Sequence, residues 1–108
     1  MTRAEAITLA RAAAKNHGYA LASHGTLTRD VDLIAVPWIE SASGHRKLAV
    51  AIAETLGETG WAESCRDGHT NPERKPHGRV AYAMHLFRNT EPKDHGWYID
   101  LSVMPRRR

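Results

Sequence analysis

The apolar positions of the first stretch recur with a helical period. Ala6, Ile7, Ala10, Ala13 and Ala14 fall on one side of a helix running through about Lys15. Thr2-Arg3-Ala4-Glu5 has the form of a capping box, with Thr2 as N-cap and Glu5 reaching back to it. The small alanines predict close packing of this helix on a sheet. Asn16-His17-Gly18 is a natural stop, with Gly18 in the left-handed position after the last turn. Residues 19–22 read as a short first strand. Residues 31–36 are apolar apart from Asp32, the pattern of a central strand covered on both faces. Pro37 ends that ladder, since it has no N–H to donate.

The helical period returns over 45–56. Leu48, Ile52 and Leu56 stand at i, i+4 and i+8, with Ala49 and Ala53 beside them. Ser41-Ala42-Ser43-Gly44 offers capping residues before this helix, and Gly57 and Gly60 bracket its end. Residues 61–63 read as a short strand and 66–75 as an exposed loop. Strands over 80–87 and 97–104 flank a turn at 89–96 and are close enough to pair as an antiparallel hairpin. The expected fold is α+β: a mixed sheet of about four or five strands with two helices packed on one face. At 108 residues the chain is read as one domain with a modest core.

Composition narrows the class. Charged residues make up 25% and apolar residues 42%, ordinary values for a folded protein. No run approaches the roughly 18 apolar residues of a membrane span, and Arg3 and Glu5 interrupt any apolar signal core. A cytoplasmic protein with no membrane partner is the expectation, in the host cell cytoplasm if phage-encoded. A single cysteine, Cys65, excludes an intrachain disulfide and a zinc-finger pattern. The net charge of +3 is mild, and Arg106, Arg107 and Arg108 alone match it. Such an excess permits an anionic partner without naming one.

Chemistry concentrates around Gly25-Thr26 and Asp30-Val31-Asp32. On a strand Asp30 and Asp32 point to one face, their Cα atoms roughly 6.5–7 Å apart. Two such carboxylates repel unless a cation or basic group lies between them. A hard dication, Mg²⁺ or Mn²⁺, bound by carboxylates and phosphate oxygens, answers that repulsion. The glycine turn would present backbone N–H groups to a phosphate. The plain alternative is structural, with Asp30 shaping the turn and Asp32 paired to Arg29. Asp100 interrupts the apolar strand at 97–104, where Tyr98, Asp100 and Ser102 share one face. It either pairs with Arg79, Arg29 or a histidine, or completes a carboxylate set with Asp30 and Asp32 at one edge of the sheet.

Gly25-Thr26, Asp30-x-Asp32 and Asp100 together resemble the polymerase-β-like nucleotidyltransferase superfamily. The resemblance implies a nucleotidyltransferase-like domain in which Asp30, Asp32 and Asp100 bind Mg²⁺ and Asp100 also helps activate an acceptor hydroxyl. It implies that Gly25 and Thr26 contact the phosphates of a nucleoside triphosphate. Thr26 replaces the commoner serine, and only Leu27, Thr28 and Arg29 separate the turn from the acidic pair. A broader resemblance rests on three blocks: Leu27 through Trp38, Pro76-His77-Gly78-Arg79-Val80-Ala81 with His85-Leu86, and Tyr98 through Pro105. These look like small phage and prophage proteins of uncharacterised function. That kinship implies a second class of function, an accessory protein that binds a host factor without catalysis.

The basic groups extend the first reading. Arg79 and His85 are six apart, so they share a strand face. With His77 and Lys75 they would form a positive wall for a phosphate or nucleotide, and Arg29 is a further nucleotide-binding candidate; otherwise Arg79 neutralises Asp100 and His85 is half-buried. No H-E-x-x-H or Cys/His cluster with zinc spacing occurs among the seven histidines. His17 and His95 are expected in solvated turns. Trp38, Trp61 and Trp97 are expected in the core. A nucleic-acid-binding role rests on the mild basic charge alone.

Overall fold

The computed structural model describes residues 2–25, 30–57, 73–85 and 98–105, with His85 and Tyr98 described in the backbone only. Helix α1 (Arg3–Asn16) opens with the expected capping box: Thr2 Oγ1 accepts from the Glu5 N–H, and the Thr2 N–H donates to Glu5 Oε1. Strand β1 (Tyr19–His24) and strand β2 (Val31–Pro37) form an antiparallel pair. Helix α2 (His45–Thr55) follows. Next come β3 (Glu73–Arg74), a 3₁₀ turn over Pro76–Gly78, β4 (Val80–His85) and β5 (Tyr98–Val103). The sheet order is β1-β2-β5-β4-β3, with β2 and β5 parallel and the other pairs antiparallel. This is a five-stranded mixed sheet with two helices, as the periodicities predict.

Both helices bury their apolar stripes against one face. Ala6, Ala10 and Ala14 of α1 and Leu48, Ala49, Ile52 and Ala53 of α2 are fully buried. They meet Val31, Leu33, Ala35, Ile99, Leu101 and Val103, the alternate positions of β2 and β5. Burying each of the larger aliphatic side chains contributes about 2 kcal/mol. The opposite face carries no helix among the described residues. On β2 this leaves Asp32 and Ile34 half-buried and Val36 exposed, so among the described residues the strand is covered by helices on one side and not on two.

Several local expectations are corrected by contacts that the one-dimensional pattern does not carry. Residues 73 and 74, expected in a loop, pair with β4 at the edge of the sheet. Trp38, expected in the core, is 63% exposed because it follows the last rung of β2. His17, expected in solvent, is half-buried and its Nδ1 shares a hydrogen bond with Ser43 Oγ. Ser43 is thereby drawn away from α2, whose N-cap is Gly44 with no side-chain cap. The Tyr19 hydroxyl donates to the Ser43 carbonyl, and His45 Nδ1 shares a hydrogen bond with the Tyr82 hydroxyl. These bonds tie the start of α2 to α1, β1 and β4. The expected strand at 61–63, the turn at 89–96, Cys65, His95, Trp61, Trp97 and Arg106 through Arg108 lie outside the described residues.

Gly18 carries the turn between α1 and β1 at φ +83°, as expected. A Cβ there would come within 2.8 Å of Ile39 Cγ1 and 2.9 Å of the Ala42 Cα. Gly18→Ala therefore combines left-handed strain with overpacking and is expected to lower stability by about 2–4 kcal/mol. Gly44 differs, since no atom lies within 4 Å of its would-be Cβ. Gly44→Asp would supply the missing cap and face His45, Arg46 and Lys47, raising stability by about 0.5–1 kcal/mol. Urea unfolding midpoints of the two variants check both signs.

Candidate functional site

Register decides which of the candidate residues meet. Because β2 and β5 run parallel with Asp32 opposite Asp100, these two carboxylates stand side by side on the helix-free face. Their backbones are about 4.8 Å apart, the ordinary strand spacing. Both strands lie inside the sheet, so the pair sits on central strands and not at the expected edge. Asp30 lies one residue before β2, half-buried, and its charge also reaches Asp100. The three acidic residues singled out by sequence are thus electrostatic neighbours. Among the described residues, however, no three His, Cys, Asp or Glu side chains converge closely enough to form a ready metal cage.

Like charges directly opposite on neighbouring strands are destabilising. The electrostatics of Asp100 show it. Burial first, then the adjacent Asp32 and the more distant Asp30, push its pKa above the ordinary value of 3.8, while Lys75 and Arg79 act in the opposite sense. No salt bridge joins Arg79 to Asp100. Arg79 Nη1 instead donates to Ser102 Oγ at 2.9 Å, the next residue along the same face of β5. Lys75 is held by Glu73 in an exposed ion pair at 2.8 Å, the kind of pair that contributes little to stability.

Gly25 has φ +84°, and its would-be Cβ lies 3.2 Å from Asp32 Oδ2. The turn glycine therefore lies next to the strand carboxylate, and a larger residue would press on that oxygen. Thr26 and Arg29 lie outside the described residues, as does the His85 side chain. The backbone of β4 sets His85 opposite Tyr98. The 3₁₀ turn carries His77 at φ +65° and brings Gly78 against Pro105, beyond the end of β5. Pro105 stands five positions after Asp100, about 16 Å along an extended chain. His77 is accordingly set apart from the carboxylates, and the positive groups whose charge reaches Asp100 are Lys75 and Arg79.

His24 is a neighbour that the sequence pattern did not single out. The first strand extends two residues past the expected end at Ala22, and the hairpin register places His24 opposite Asp32. His24, Asp32 and Asp100 thus form one cross-strand row over β1, β2 and β5. The alternation of Ala20, Ala22 and His24 on the exposed face is the signal that would have found it. The chain matches no family model, no curated protein and no solved structure.

The raised pKa has a definite consequence for stability. Asp100 holds its proton more tightly in the folded state than in the unfolded chain, so stability falls as pH rises from about 3.8 through the raised folded value. Above that window the deficit persists. Asp100→Asn is expected to be more stable than the wild type at neutral pH, with the difference vanishing below the unfolded pKa. Asp32→Asn removes one of the two carboxylates responsible and is expected to bring the Asp100 pKa down. Urea unfolding across pH, with carboxyl NMR titration of Asp100, measures both effects.

Proposed function

We propose that this chain is a minimal nucleotidyltransferase-like protein of phage or prophage type. In this reading Asp30, Asp32 and Asp100 hold Mg²⁺ or Mn²⁺, and a nucleoside triphosphate binds beside Gly25. The observation that carries the reading is the register of β2 with β5, which sets two carboxylates side by side with no described cation bonded to either. A fold that keeps such a pair gains from a bridging dication what it loses to repulsion. Support also comes from Gly25, where an added Cβ would lie 3.2 Å from Asp32 Oδ2, so the turn runs close to that carboxylate. Further support is the position of the third acidic residue on the neighbouring strand, as the family resemblance implies.

When bound, divalent ions would neutralise the carboxylates and phosphate oxygens and steady the leaving phosphate. Asp30 and Asp32 serve as ligands from the start of β2. Asp100 serves as a ligand from β5, and the family resemblance implies that it also helps activate the acceptor hydroxyl. Arg79 and Lys75 add positive charge on the side of β4 and β3. With His85 they make up the proposed wall for the phosphates, and Arg29 is a further proposed contact.

Calorimetric titration with ATP and GTP in Mg²⁺ or Mn²⁺ tests this reading. The wild type is expected to bind, and Asp32→Ala and Asp100→Ala to fold with affinity reduced at least tenfold, about 1.4 kcal/mol. Wild-type protein that takes up neither nucleotide at high Mg²⁺, or variants that bind as well as it does, would overturn the assignment.

A further inference from the structure

A second surface lies on the other side of β1, away from the carboxylates. β1 is an edge strand, with β2 on one side and no strand on the other among the described residues. Its inward side is identified by the Trp38 N–H, which donates to the Gly18 carbonyl. Backbone groups alternate along a strand, so Leu21 and Ser23 turn theirs outward. Arg11 agrees with this phase, since its Nε donates to the Leu21 carbonyl at 3.2 Å. Along this outer edge runs an open groove of about 310 Å³ lined by Arg11, Lys15, Tyr19, Ala20, Leu21 and Trp38.

The groove has an apolar strip and a cationic rim. Trp38, 63% exposed, lies along it with Ala20 and Leu21. Arg11 and Lys15 stand one helical turn apart on α1, and no acidic residue lines the groove. An isolated bulky side chain at the surface needs no explanation, but an exposed indole beside a strand edge that pairs with no strand among the described residues forms an interaction surface.

We propose that the outer edge of β1 receives an extended, acidic segment of another protein, which adds to the sheet as a further strand. Strand addition supplies main-chain hydrogen bonds, and side-chain pockets supply the selectivity. On docking, a backbone N–H of the incoming segment takes the Leu21 carbonyl from Arg11. The released guanidinium and Lys15 then meet the acidic side chains of the segment, while an apolar one rests on Trp38. A second copy of this chain is a poor occupant, because symmetric pairing would bring two cationic rims to one seam. This surface is independent of the metal–nucleotide reading and shares none of its residues.

The test uses the ¹⁵N-labelled full chain and a short capped peptide of alternating glutamate and valine. Controls are the same peptide with lysine for glutamate, and single-stranded oligothymidylate. The acidic peptide is expected to shift the Leu21 and Ser23 amides and the Trp38 indole, and to slow exchange of the Leu21 amide. Lys15→Glu and Arg11→Glu are each expected to weaken it severalfold, and the pair about tenfold; Trp38→Ala is expected to weaken it with the amide spectrum otherwise retained. The Lys15 side chain makes no described bond, so Lys15→Glu keeps the test valid should Arg11→Glu disturb the fold. The proposal fails if the acidic peptide shifts nothing at millimolar concentration or shifts residues elsewhere. It also fails if the lysine peptide or the oligonucleotide binds the strip as well, or if the strip changes with protein concentration alone.

Discussion

The parallel pairing of β2 with β5 holds this molecule together. It joins a hairpin from the first third of the chain to a meander of β3, β4 and β5. On the helix side it brings Leu33 beside Leu101 and Ala35 beside Val103, all essentially inaccessible to water. On the other side the same register brings Asp32 beside Asp100. The two outcomes are inseparable, because a slip of one residue would exchange the faces of every side chain on the strand. Burial of several aliphatic side chains, at about 2 kcal/mol each, far outweighs repulsion between two half-exposed carboxylates. The apolar core thus dictates that the acidic residues meet.

Much of the architecture is legible in the sequence, for identifiable reasons. Both helices show apolar stripes of the right period, and the cap at Thr2 and the glycine at 18 mark the ends of α1 without help from tertiary contacts. The β4–β5 hairpin follows from two strand-like runs close in the chain. What the sequence does not reveal is which faces are covered. Ile34 and Val36 read as buried, yet both helices lie on the opposite side of β2. The expectation for Trp38 errs for the same reason, since an apolar side chain just past a strand carries no mark of which side it leaves on. Ser43 illustrates a different limit. It has the chemistry of a helix cap, but His17 and Tyr19, more than twenty residues earlier, claim its polar groups.

The acidic residues are legible as residues and only partly as a site. Asp30 and Asp32 stand out because they open an apolar strand, and Asp100 because it interrupts one. Their proximity depends on a parallel pairing across 68 positions, Asp32 to Asp100, which no local pattern encodes. His77 shows the converse. It is near Arg79 in sequence, but it sits in the tight turn at Pro76–Gly78, whose Gly78 lies against Pro105 beyond the end of β5. His24 is missed because the first strand reads as ending two residues early.

The position of β5 also bears on how the chain comes to be assembled. It is the last described element to be synthesised, yet it occupies the middle of the sheet. Until it emerges, β2 on one side and β4 on the other each present a bare edge with no correct neighbour. A nascent chain in that condition is open to pairing with the wrong strand or with another molecule. The protein therefore passes its most vulnerable stage during synthesis, and insertion of one central strand closes both edges at once.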